Sequence, residues 1–171
     1  IRVLRGHGAL LWAAHFSRDG RLLATCSWDS TARIWDVQAG QTLHVLEGHE
    51  RSLWNTQFTA DGRHVVTASE DGTARVWDVA TGRVRAVLEG DEGEVLSVAF
   101  SADGKWLASA NRDQAVLLWD PSTGQLRATL RGHTNRVNQV AFSPDSRLLA
   151  SASKDGTVRL WDVATSAELG N

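Results

Sequence analysis

Apolar and polar positions alternate along the chain in short runs, and the runs are separated by turn residues. Residues 137 to 163 illustrate the pattern. Val137 to Phe142 predicts a strand, Ser143-Pro144-Asp145-Ser146 a turn, Leu148 to Ser153 a second strand, Lys154-Asp155-Gly156 a tight turn and Thr157 to Val163 a third strand. A further strand is predicted over Gln41 to Leu46, Arg83 to Leu88 and Gln125 to Leu130, each after a loop holding Gly40, Gly82 or Gly124. β-branched residues crowd these runs, and Asp-Gly recurs at 19–20, 61–62, 71–72, 103–104 and 155–156. No stretch sustains the 3.6-residue apolar spacing of a helix, so the expected class is all-β.

The pattern repeats with a fixed period. Trp35, Trp77, Trp119 and Trp161 are each followed by Asp and stand 42 residues apart. Gly6, Gly48, Gly90 and Gly132 keep that spacing, with His7, His49 and His133 directly after three of them. In these residues the chain resembles the WD40 family, whose repeats of ~40–45 residues carry Gly-His and Trp-Asp marks. The resemblance covers nearly the whole chain. It implies one four-stranded antiparallel blade per repeat, and hence a β-propeller segment over residues 1–171 with repeats at about 1–42, 43–84, 85–126 and 127–171.

Ile1 to Arg5 align with Leu43 to Glu47, the end of a fourth strand, while Ala167 to Asn171 align with Arg83 to Val87, its start. In the family the N-terminal piece completes the last blade, which removes an exposed sheet edge. Rings of this family usually hold about seven blades within a range of ~4–8. The expectation is therefore that two chains join head-to-tail as a homodimer of four plus four blades, with Ile1 to Leu4 of one beside the last blade of the other. A fragment of a longer propeller and a self-closed ring of four blades are the alternatives.

Composition narrows the function classes. The 171 residues carry a formal net charge of -2, which gives no basic field for a phosphate backbone, so nucleic acid is not an expected partner. No apolar run approaches the ~20 residues of a membrane span, and a membrane is not expected either. The single Cys26 can form no intramolecular disulfide, which points to a reducing compartment and to the cytoplasm. The chain contains no Met and reads as a processed piece, a fragment or a designed sequence.

Each repeat supplies a His, a Ser or Thr, an Asp and a Trp, a grouping that resembles a catalytic triad. These are His7, Thr25, Asp29 and Trp35; His49, Thr67, Asp71 and Trp77; and His133, Ser151, Asp155 and Trp161. An enzyme needs one nucleophile beside one base, not one per repeat, so the groups are read as structural and no catalytic residue is assigned. The resemblance implies a buried tetrad in which Asp anchors His, His bonds the hydroxyl, and the hydroxyl meets the Trp indole N–H. The third repeat departs, with Asp91 in the His position beside Ser109, Asp113 and Trp119. Two nearby carboxylates repel, so this blade is expected to be locally weaker. The His residues show no metal-ligand spacing, and no phosphate-binding Gly motif occurs, so neither metal nor cofactor is expected.

What remains is the loop surface, where a rigid scaffold tends to carry function. The family resemblance implies a top face built from three columns: Leu10, Ser52, Glu94, Arg136; then Trp12, Trp54, Leu96, Asn138; then Trp28, Glu70, Arg112, Lys154. Trp12, Trp28 and Trp54 fall here, and Trp and Arg are typical interface anchors. The columns run from apolar in the first repeat through acidic Glu70 and Glu94 to basic Arg136 and Lys154. The expected function is a non-catalytic scaffold that binds a protein or peptide segment on this face. The alternatives are that the indoles pack on one another and touch no partner, and that the chain is a structural module whose partner is its own copy.

Overall fold

The computed structural model describes residues 3–90 and 93–170. Those residues form fifteen strands and no helix. They are β1 (Leu11–Phe16), β2 (Leu22–Ser27), β3 (Ala32–Asp36), β4 (Gln41–Leu46), β5 (Leu53–Phe58), β6 (His64–Ser69), β7 (Thr73–Asp78), β8 (Val84–Glu89), β9 (Val95–Phe100), β10 (Leu107–Asn111), β11 (Val116–Asp120), β12 (Gln125–Leu130), β13 (Val137–Phe142), β14 (Leu148–Ser153) and β15 (Val158–Asp162). Consecutive strands pair antiparallel into four sheets, which we call blades 1 to 4, beginning at β1, β5, β9 and β13.

The predicted strands over 41–46, 125–130, 137–142 and 148–153 coincide with β4, β12, β13 and β14. The predicted 83–88 strand lies one residue later, as β8, and the predicted 157–163 strand is trimmed at both ends, as β15. Blade 4 departs from the four-strand pattern. It has three strands, and the segment after β15 joins it without a fourth strand, through the bridge between Trp161 and Glu168, the backbone N–H of Leu169 donating to the Leu160 carbonyl at 2.8 Å, and the Arg159–Glu168 ion pair. Ile1 and Arg2 lie outside the described residues, and Val3 and Leu4 are in no strand.

Three apolar clusters hold the blades together, and each lies between two neighbours. Ala24, Ala32, Ile34 and Leu46 of blade 1 meet Leu53, Phe58, Val65 and Trp77 of blade 2. Val66, Val76 and Leu88 of blade 2 meet Val95, Phe100, Leu107 and Trp119 of blade 3, and Val116, Leu118 and Leu130 of blade 3 meet Val137, Leu149 and Trp161 of blade 4. Blades 2 and 3 are thus apolar on both faces and bury each face against a neighbour, as stacked repeats do. The first strands run side by side, β1 against β5, β5 against β9 and β9 against β13. No comparable packing joins β13 to β1 among the described residues, so the four blades form an open series and not a self-closed ring.

The two end faces are therefore bare. Leu11 and Phe16 occupy the places of Leu53 and Phe58 but are half or more exposed, and Val158, at 66% exposure, stands where Val116 has 0%.

Candidate recognition face and the blade tetrads

The tetrad residues of blades 1, 2 and 4 are brought together as hydrogen-bonded chains. In blade 2, His49 Nδ1 lies 2.7 Å from the Asp71 carboxylate, His49 Nε2 lies 2.7 Å from Thr67 Oγ1, and Trp77 donates its indole N–H to Thr67 Oγ1 at 2.9 Å. Blade 1 has the same chain through His7, Asp29, Thr25 and Trp35, and blade 4 through His133, Asp155, Ser151 and Trp161, with every distance 2.8 or 2.9 Å. One tautomer satisfies every group: Nδ1–H donates to the carboxylate, and the hydroxyl accepts from the indole while donating to Nε2. Thr25, Thr67 and Ser151 are buried, so these hydroxyls lie within the blade and away from the solvent-exposed position a nucleophile needs.

A Thr completes each chain, and in blade 1 an Arg joins it as well. Thr31, Thr73 and Thr157 donate their hydroxyls to the Asp of their own blade, at 2.6 to 2.7 Å. The signal in sequence is the Asp-x-Thr spacing, which blade 3 loses in Asp113-Gln114-Ala115. Arg33 lies over the Trp35 ring, 5.8 Å from its centroid. A Cβ placed at Gly6 or Gly132 would stand 2.6 or 2.7 Å from the Nη1 of Arg33 or Arg159, so the Gly before His lets the backbone pass close under the guanidinium.

These bonds set the acidity of the carboxylates. Burial pushes Asp71 upward, but hydrogen bonds from His49 and Thr73 outweigh it and hold the carboxyl far below its ordinary range. Asp155 is depressed likewise, foremost by the Thr157 hydroxyl. Burial drives the Cys26 thiol up to about 12, which leaves it unreactive.

Among the described residues blade 3 keeps one link, Trp119 donating to Ser109 Oγ at 3.0 Å. Asp91 lies outside the described residues. Asp113 Oδ1 and both amide atoms of Asn111 are buried without a hydrogen-bond partner. Ala115 and Leu117 take the places of Thr and Arg, so packing replaces polar contact in this blade.

All three surface columns meet at one end of the blades. In each blade the third-column residue donates its backbone N–H to the carbonyl of the first-column residue: Trp28 to Leu10, Glu70 to Ser52, Arg112 to Glu94 and Lys154 to Arg136, at 2.9 to 3.0 Å. The second column has a feature not readable from sequence. Trp12, Trp54, Leu96 and Asn138 are each skipped in the ladder between the first two strands of their blade, so each sits at a β-bulge. A bulged residue is released from the alternation of the strand and its side chain is re-aimed.

Trp12 and Trp28 stack with centroids 6.1 Å apart, and Trp54 meets them edge-on at 5.1 and 6.0 Å. Trp12 remains 54% exposed and Trp28 44%, while Trp54 is half-buried with its indole N–H unpaired. The acidic middle of the face is neutralised: Arg51 pairs with Glu70 at 3.6 Å, and Arg112 pairs with Glu94. Asn138 and Lys154 are exposed, and Leu96 is half-buried. Arg136 and Lys154 pair with no carboxylate among the described residues. Among the described residues no group of three or more His, Cys, Asp or Glu is gathered that could hold a metal ion.

Four antiparallel sheets packed in series, each around a buried Trp-Asp indole, define a β-propeller segment of repeated blades. Residues 1–36, 40–78, 82–120 and 124–162 match the family described as WD domain, G-beta repeat, and the chain belongs to this WD40 family. It is also similar to eukaryotic translation initiation factor 3 subunit I of Phaeosphaeria nodorum, at 43% identity over 44 residues. That match involves 26% of this chain and 13% of the relative, about one repeat.

Proposed function

We propose that the chain is a non-catalytic interaction module that binds a peptide or protein segment on the face formed by its three columns. WD40 repeats typically mediate protein interactions, and nothing in the chain points to catalysis. The observation that carries the reading is the cluster of Trp12, Trp28 and Trp54, with Trp12 on β1 and Trp28 in the turn after β2 each about half exposed. Large aromatic surface left in water and rimmed by polar residues marks a recognition site. A displayed library of random peptides should be enriched on the wild-type chain, with capture lost in Trp54→Ala and in the exposed variant Trp28→Ala. Enrichment indifferent to both substitutions, or no enrichment, would count against it.

The bare end faces favour a second reading alongside the first: two copies join head-to-tail into an eight-bladed ring, a homodimer. The apolar residues of β1 and β15 are those that three internal contacts bury, and each is worth roughly 1.5–3 kcal/mol when fully covered. Sedimentation should give twice the chain mass, and a stable monomer would refute it. A cytoplasmic location belongs to the same proposal, in keeping with one buried thiol and no disulfide.

A further inference from the structure

We infer that the recognition face is composite, with the indole cluster of one copy and the cationic pair of blade 4 of the other meeting across the joint. The ligand class this fits is an extended segment that joins an apolar or aromatic anchor to an acidic side chain. The inference rests on the head-to-tail ring and on the recognition face proposed above.

The internal geometry supplies the argument. Trp54, the bulged residue of blade 2, rests edge-on against Trp28, the third-column residue of blade 1, at 6.0 Å. In the ring, blade 1 of one copy follows blade 4 of the other. Trp12 then stands to Lys154 as Trp54 stands to Trp28. The relation places an ammonium group beside an indole that is 54% exposed in the single chain, a cation–π arrangement. Arg136 comes with it, because its carbonyl accepts the Lys154 backbone N–H at 3.0 Å.

Charge decides the ligand. Glu70 and Glu94 are occupied by Arg51 and Arg112, so a basic residue of a partner would have to displace an Arg already in place. Lys154 and Arg136 have no such occupant among the described residues. Opposite charge on the partner therefore belongs beside them, one anchor's length from the indoles.

Coexpressed copies carrying Trp12→Cys and Lys154→Cys test the joint. Cys26 is buried, so the introduced thiols are the reactive ones. A short bis-maleimide should link the mixed pair and neither variant alone, and should fail when Glu70→Cys replaces Lys154→Cys. A dimer that sediments as such but gives no link overturns the composite site alone; a monomer overturns the ring as well. Two labelled heptapeptides with a central Phe, flanked by Glu in one and Lys in the other, test the ligand class. The Glu peptide should bind about tenfold tighter to the wild-type ring, with the preference lost in Arg136→Glu with Lys154→Glu. No preference, a preference for Lys, or no binding of either peptide overturns the assignment.

Discussion

One hydroxyl in each intact blade does two jobs at once. Thr67 accepts from the Trp77 indole and donates to His49, so its removal strands a donor and an acceptor inside the blade. Each orphaned group costs roughly 1–3 kcal/mol, so Thr67→Val should destabilise strongly in urea titration, whereas Thr67→Ser, the residue blade 4 uses as Ser151, should be mild. Trp161→Ala removes a nearly fully buried indole from the blade 3 to blade 4 contact and should cost about 3–5 kcal/mol by the same titration. The depressed carboxyls of Asp29, Asp71 and Asp155 add a pH dependence. A carboxyl held below its unfolded value of 3.8 gives stability that is fully present above that value and is lost as acid protonates the folded form. Thermal unfolding should therefore come earlier at pH 3 than at pH 6, and Asp71→Asn should narrow the gap. The Trp, His, Asp and hydroxyl positions were readable because they recur at one period. The supporting Thr and Arg were equally periodic, but each is an ordinary surface-type residue until a structure brings it to a carboxylate or an indole.

At the scale of the element, blade 3 shows how far the pattern can be eroded. It has lost His, Thr and Arg together, and fully buried Leu117 and Ala115 fill the space with apolar atoms. Packing of this kind can equal a polar network, but the unpaired Asn111 amide and Asp113 oxygen have no counterpart in the other blades. In those blades a Ser stands at the Asn111 position and accepts the Asp backbone N–H at 3.1 Å. Asn111→Ser should then stabilise the chain by about 1 kcal/mol. In the wild type, amides of the turn from Arg112 to Ala115 should exchange faster than those from Glu70 to Thr73. Equal exchange would mean that apolar packing has made good the loss. The strands themselves were legible because apolar alternation and Asp-Gly turns bound them on both sides. The bulges were not, since a skipped residue leaves no mark in composition, and the ion pairs that neutralise Glu70 and Glu94 were hidden because their acids are distant from or ambiguous with several Arg in sequence.

Over the whole molecule, stability and assembly are one question. Every described blade interior is also a contact between blades, so the chain's inner contacts and its bare ends are made of the same surface. Phe16→Asp puts a charge on the bare face of blade 1 while leaving the three internal clusters untouched. It should abolish association in sedimentation with little loss of secondary structure. An unchanged mass would show that the face is not used. The period of 42 residues made the blades predictable, but it carried nothing about whether the series closes, because every repeat of a ring and of an open arc looks alike from within.

The looped-out second column has a consequence for how such a protein changes. A side chain at position 12, 54, 96 or 138 owes nothing to the strand pairing around it, so Trp can become Leu or Asn with the sheet unaltered. These four places behave as interchangeable sockets on a fixed frame, where partner choice can drift while the architecture stays put.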